Sequence, residues 1–132
     1  MRLIFTLVCG IFVSVSLYAQ APASAKTLKN PVAADAKSID AGKATYAKSC
    51  AVCHGTAAKG DGAIVKSLKP EATKPADLTD AKWDHGSTDG EIFTNIRDGI
   101  GPKFEMKGQK GKLMDNDIWN VVNYLKSLGP KK

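Results

Sequence analysis

Cys50-Ala51-Val52-Cys53-His54 constrains this chain more than any other stretch: two thiols three positions apart, followed at once by an imidazole. On a helix, residues at that spacing lie about one turn apart on one face. Both sulfurs can therefore reach one edge of a flat ligand, and the next residue offers a ring nitrogen beneath it. This C-x-x-C-H spacing predicts covalent haem c, with thioethers from Cys50 and Cys53 and with His54 as an axial ligand of the iron. Other uses of these residues fit less well. A zinc site needs two further soft ligands, and His85 is the only other histidine. A thioredoxin-like pair needs a βαβ context, which the rest of the chain lacks. A plain disulfide leaves His54 without a role.

Residues 1–19 read as a signal peptide. Arg2 supplies the positive start, Leu3 to Tyr18 form an apolar run, and Ala19 is a small residue before the cleavage point. Left uncleaved, the same run would be a short membrane anchor. Cleavage is the expected outcome, and with it an exported protein. Thr6-Leu7-Val8 before Cys9 does not form a lipobox, so Cys9 leaves with the signal and Cys50 and Cys53 are the cysteines that remain. The formal charge of +6 falls to +5 with the loss of Arg2. Such a charge suits an acidic partner. Nucleic acid is not expected, because no basic run exceeds Lys131-Lys132 and none is interleaved with aromatics.

Residues 20–37 are rich in Ala, Pro, Ser and Lys, with only Leu28 and Val32 as larger apolar side chains, and read as a flexible leader or linker. Residues 38–132 read as one domain. Ser38 or Asp40 can cap a helix running to about Ser49. Asp61 can cap a short helix carrying Ile64, Val65 and Leu68, stopped by Pro70. Thr88 and Glu91 form a capping box before Ile92, Phe93 and Ile96, with Gly99 as the stop. A last helix starts near Asp115, carries Ile118, Trp119, Val122, Leu125 and Leu128 at helical spacing, and ends at Gly129 and Pro130. No period-two run of β-branched residues follows the signal segment. The predicted fold class is all-α, with about four short helices. So small a domain, much of it loop, buries a modest core, and a large apolar cofactor at its centre would complete it.

A haem that carries electrons needs a second axial ligand, and Met106, Met114 and His85 are the candidates. Met106 lies in the Gly- and Lys-rich loop 101–112, which can swing a thioether over the iron. Met114 abuts the last helix and is tethered by it. His85 sits in the polar stretch Asp84-His85-Gly86-Ser87 and reads most simply as an exposed loop histidine.

The residues now assembled resemble the class I monohaem cytochromes c of bacteria. Gly42 to Ser49 precedes the haem motif as that family's first helix does. Gly60-Asp61-Gly62 and Pro75-Ala76-Asp77-Leu78-Thr79 look like its middle segments, and Ile118 to Leu125 like its last helix. The resemblance implies a cytochrome c-like fold wrapped around one covalent haem. It implies Met106 as the distal iron ligand, since the family's methionine stands thirteen residues before the tryptophan matching Trp119. It further implies a proline carbonyl accepting from the other nitrogen of the proximal histidine, with Pro75 the candidate and Pro70 the runner-up. The first and last helices should cross, setting Gly42 and Tyr46 against Val121 and Tyr124. Two positions depart from the family pattern. Lys107 follows the ligand methionine where proline is usual, and Met114 stands where Ser or Thr often caps the last helix, so that Asp115 is expected to cap it one residue later.

With His54 and Met106 on the two faces of the iron, substrate binding at the metal is disfavoured, and the implied role is a periplasmic electron carrier, not an enzyme. A monomer is expected. Lys103, Lys107, Lys110 and Lys112 crowd the Met106 loop against Glu105 alone, which points to a redox partner with an acidic docking face. Competing roles are an electron-transfer subunit tied to a larger dehydrogenase or reductase, and a gas sensor or peroxidase with a labile distal site.

Overall fold

The computed structural model describes residues 22–101 and 105–129. The signal-peptide reading of residues 1–19, Lys103 and the Pro130 stop lie outside the described residues. Four α-helices are described: α1 Ala36–Ser49, α2 Ala51–His54, α3 Asp89–Asp98 and α4 Asp115–Leu128. Two short 3-10 turns, Ala23–Thr27 and Ala63–Ser67, accompany them. A two-residue antiparallel pair, β1 Gly99–Ile100 with β2 Met106–Lys107, is the only sheet among the described residues. The fold is all-α, as the helical spacing of apolar residues predicted.

The core is built on α4. Its apolar stripe puts Ile118, Val121 and Val122 out of reach of water, and each such burial stabilises by roughly 1.5–3 kcal/mol. Helix α1 crosses α4 where Gly42 faces the backbone carbonyl of Asn120 and Cβ of Tyr124 at 2.9 Å from its missing Cβ. The expected crossing is therefore present, with Asn120 in the place foreseen for Val121. One turn on, the Tyr46 and Tyr124 rings meet at 5.4 Å between centroids. Helix α3 packs on α4 from another side, with Phe93 stacked on Trp119 at 3.9 Å and 11° between planes. Thr88 and Glu91 close the capping box at its start: the Glu91 amide donates to Thr88 Oγ1 and the Thr88 amide to Glu91 Oε2.

Local helix signals were right where they were strong and wrong where several polar residues compete. Asp35, not Ser38 or Asp40, caps α1 by accepting from the Ser38 amide at 2.8 Å. Ser38 lies inside the helix instead, buried, with its hydroxyl donating to Asn120 Oδ1 at 2.7 Å. Gly62, not Asp61, precedes the turn at Ala63–Ser67, and that start has no side-chain cap. Met114 occupies the cap position of α4 with no side-chain hydrogen bond, and Asp115 is already helical, so the expected cap by Asp115 is not formed.

The largest correction concerns residues 20–37, read from their composition as a flexible leader or linker, of which 22–37 are described. From Pro22 onward they form a strap laid across α3 and α4. Ala25 is buried, and its carbonyl and Leu28 sit against Gly90 at the start of α3. Asn30 Nδ2 donates to Asn123 Oδ1 at 2.8 Å, and Asn123 Nδ2 donates back to the Val32 carbonyl at 3.2 Å and to Ser38 Oγ at 2.8 Å. Hydrogen bonds to and from α4, centred on the Asn123 amide, hold this segment together with the burial of Ala25 and the packing of Val32 on the core. A composition rule that counts hydrophobic residues therefore passes over it.

Candidate functional site

Helix α1 ends at Ser49, and the chain turns at Cys50 into the single turn α2. The His54 and Gly55 amides donate to the Cys50 and Ala51 carbonyls at 2.9 Å, so Cys50, Cys53 and His54 share one short turn, as their spacing requires. Both thiols are unbridged and half-buried. Burial, reinforced by the neighbouring Cys53, pushes the Cys50 thiol up to about 11. Burial also lowers the pKa of His54, and a weaker pull from the Ala76 carbonyl opposes it. Burial thus favours the uncharged imidazole, in which one ring nitrogen keeps a free lone pair.

Residues after the motif fold back to brace it. The Gly60 amide donates to the His54 carbonyl at 2.9 Å and the Gly62 amide to the Cys53 carbonyl at 3.1 Å. The Leu78 amide donates to the Ala58 carbonyl at 2.8 Å, which carries segment 75–78 alongside His54. The carbonyl that approaches His54 Nδ1 belongs to Ala76, at 3.4 Å, a long hydrogen bond. The expectation of Pro75, with Pro70 behind it, is corrected to the next residue. The Pro75 carbonyl instead faces Gly60. Facing carbonyls alternate along an extended segment, so a one-residue error in register selects the wrong oxygen. With Nδ1 donating to Ala76, Nε2 is the nitrogen left to bind a metal.

Tyr46 adds a contact that sequence reasoning did not foresee. Its hydroxyl, buried from the α1 side, donates to the Gly55 carbonyl at 2.8 Å and ties the end of α2 to the α1–α4 crossing. Burial, with help from Cys50, Tyr124 and Asp61, raises the pKa of that phenol far above its usual value, so it stays a donor.

The three distal candidates fall in different environments. Met106 is half-buried on β2 and packs against the same core cluster that Cys50 and Ala51 touch. Met114 is 71% exposed. His85 is exposed in its loop, and its backbone carbonyl accepts from Asn95 Nδ2 at 3.0 Å. Two thiols on one turn, an imidazole with one nitrogen free and a half-buried thioether form a donor set that fits covalent haem. No group of three or more His, Cys, Asp and Glu side chains suited to a bare metal ion occurs among the described residues.

Next to Met106, an open surface cavity of about 370 Å3 is lined by Arg97, Asp98, Lys107, Gly108, Lys110 and Lys112. The structure thus gathers three of the four predicted lysines and adds Arg97, which arrives from the last turn of α3 and pairs with Asp98 at 2.8 Å. Arg97 was missed because its place beside the lysines depends on the path of the loop.

The family described as cytochrome c oxidase, cbb3-type, subunit III matches residues 37–125. A cbb3-type cytochrome c oxidase subunit FixP from Bradyrhizobium sp. (strain ORS 278) is 36% identical over 95 residues, covering 70% of this chain and 28% of that protein. The chain thus spans less than a third of the length of that relative. Among solved structures, a reducing HAO-like protein complex of Kuenenia stuttgartiensis superposes with a TM-score of 0.67 at 26% identity, over 76% of this chain and 47% of that one. Cytochrome cL of Methylophaga aminisulfidivorans superposes with a TM-score of 0.56 at 23% identity, over 70% of this chain and 54% of that one, a likeness of fold.

Proposed function

The chain belongs to the family of cytochrome c oxidase, cbb3-type, subunit III, and from that membership we propose that it passes single electrons by way of a haem held by Cys50, Cys53, His54 and Met106, with no substrate turnover of its own. Its cofactor is haem c, covalently bound, with iron. When bound, that group supplies a one-electron iron couple. The chain's residues do the rest. Cys50 and Cys53 anchor the group, and His54 offers Nε2 while the Ala76 carbonyl holds Nδ1 and fixes the ring. Met106 would offer a thioether as the other ligand, a donor that raises the potential of haem iron and would leave substrate no place at the metal.

The observation that carries this reading is the single turn that presents both thiols and the His54 imidazole together. Its test is covalency. On a denaturing gel stained for haem, the colour should stay on the chain, and the protein should show no titratable thiol from Cys50 or Cys53. Colour removed by acid–acetone extraction would end the reading.

We place the protein in the periplasm, with electrons exchanged through a basic face. Lys107, Lys110, Lys112 and Arg97 gather beside Met106 and suit an acidic redox protein. Changing Lys107, Lys110 and Lys112 to glutamine should slow electron transfer to such a partner at low salt. The haem potential should barely move, because these exposed charges are screened. Lys43, Lys66 and Lys82 stand on other elements and form the comparison set. Equal slowing by both sets would reduce the effect to net charge, and no slowing by either would mean that docking is apolar. The relatives' naming as oxidase subunits, together with the short span of the match, favours a second placement, as an electron-transfer module tied to a larger redox complex.

A further inference from the structure

Met106 lies on a segment that is fastened to the end of α3. On strand β2, Met106 pairs with Ile100 and Lys107 with Gly99, the two residues that directly follow that helix. The chain then continues along the helix terminus. The Gln109 amide donates to the Ile96 carbonyl and the Lys110 amide to the Arg97 carbonyl, both at 2.9 Å. These carbonyls belong to the last turn of α3, where no intrahelical donor remains for them. The segment after Met106 therefore completes the hydrogen bonding of the helix end.

Gly108 makes this approach possible. A Cβ there would stand 2.6 Å from the Asp98 carbonyl carbon, 2.7 Å from the Arg97 oxygen and 2.8 Å from the Asp98 oxygen. All three are backbone atoms, which cannot rotate aside. Gly99 answers from the other strand. It adopts φ 91°, and a Cβ on it would stand 2.6 Å from the Met106 oxygen and 2.8 Å from the Gly108 nitrogen. Helix α3 is in turn fixed to the core through buried Ile96 and the Phe93–Trp119 stack.

We infer that Gly108 is a positioning residue: the backbone clasp it allows, from segment 106–110 to the end of α3, sets where the Met106 thioether stands. The inference rests on the proposed ligation by Met106. Imidazole added to the ferric holoprotein competes with the thioether for the iron, so its apparent affinity reports how firmly Met106 is held. Gly108→Ala forces the two backbones apart. Lys110→Pro removes the Lys110 amide donor, and Lys110→Ala controls for the lost charge. Both Gly108→Ala and Lys110→Pro should bind imidazole at least about fivefold more tightly, with haem still covalent, because overpacked or unpaired backbone is relieved by letting the segment move. Lys110→Ala should match the unmodified protein. Thr88→Ala weakens α3 at its far end and should lower thermal stability without changing imidazole affinity.

Unchanged affinity in Gly108→Ala and Lys110→Pro would overturn the clasp. Equal tightening in Thr88→Ala would overturn it too, since general loss of stability would then be the cause. If Gly108→Ala does not fold, Lys110→Pro decides. A Met106→Ala variant that keeps the sulfur–iron charge-transfer band and the original imidazole affinity would instead overturn the ligation reading beneath it.

Discussion

Gly42→Leu is expected to unfold the protein at temperatures where the unmodified chain is native. Glycine inside a helix costs about 1 kcal/mol relative to alanine, so its presence in α1 calls for a return. That return is the approach of α1 to α4. A Cβ there would clash with the Asn120 carbonyl and stand 2.9 Å from Tyr124 Cβ. Neither group can turn away, because the carbonyl is backbone within α4 and Cβ has no freedom of its own. A leucine must therefore push the helices apart. That movement also opens the Tyr46–Tyr124 contact and strains the bond from Tyr46 to Gly55. Overpacking costs about 1–3 kcal/mol where neighbours can yield, and here they yield poorly. Against a total of about 5–15 kcal/mol, and at about 4–8 °C of melting temperature per kcal/mol in a domain of this size, the fall should be on the order of 10 °C or more. Far-UV circular dichroism on heating reads it directly. A melting temperature left where it was would mean that the glycine is only tolerated.

Met106→Ala should lower the reduction potential and open the iron to carbon monoxide, while the haem stays covalently attached. The proposed thioether ligand favours the reduced iron, and axial ligands shift haem potentials across a span of about 0.8 V. A fall of about 0.1–0.3 V is expected, read by redox titration with optical spectra. Met114→Ala is the informative contrast. Met114 is 71% exposed at the start of α4, and trimming it should leave both the potential and the sulfur–iron band nearly as they were. Loss of that band in Met114→Ala alone would move the ligand to Met114, and an unmodified protein that lacks the band and changes its spectrum only in His85→Ala would make the site bis-histidine.

Signals that repeat along the chain or sit within a few residues of each other were legible without coordinates. The apolar spacing of Ile118, Trp119, Val122 and Leu125 describes α4, because a helix buries one stripe at a fixed period. Thr88 and Glu91 close their capping box because its partners are only three residues apart. The grouping of Cys50, Cys53 and His54 on one turn follows from the same short-range geometry. The crossing of the first and last helices at Gly42 followed from the family resemblance, although the atom Gly42 meets belongs to Asn120.

Tertiary structure alone decided which polar groups meet across long stretches of chain. Asn30 and Asn123 are 93 residues apart, and their hydrogen bond turns a segment with a linker's composition into an ordered strap. The carbonyl beside His54 comes from Ala76 because the Leu78–Ala58 hydrogen bond fixes the register of that segment. Arg97 joins the lysines, and Met106 comes to rest in a half-buried place, because the segment 106–110 is fastened to the end of α3. The physical reason is shared by all of these. A hydrogen bond between distant residues satisfies whichever donor and acceptor the packed core brings together, and no local period records that choice. Apolar periodicity and cap chemistry act over a few residues, so they survive in the sequence as pattern. The path of a loop does not.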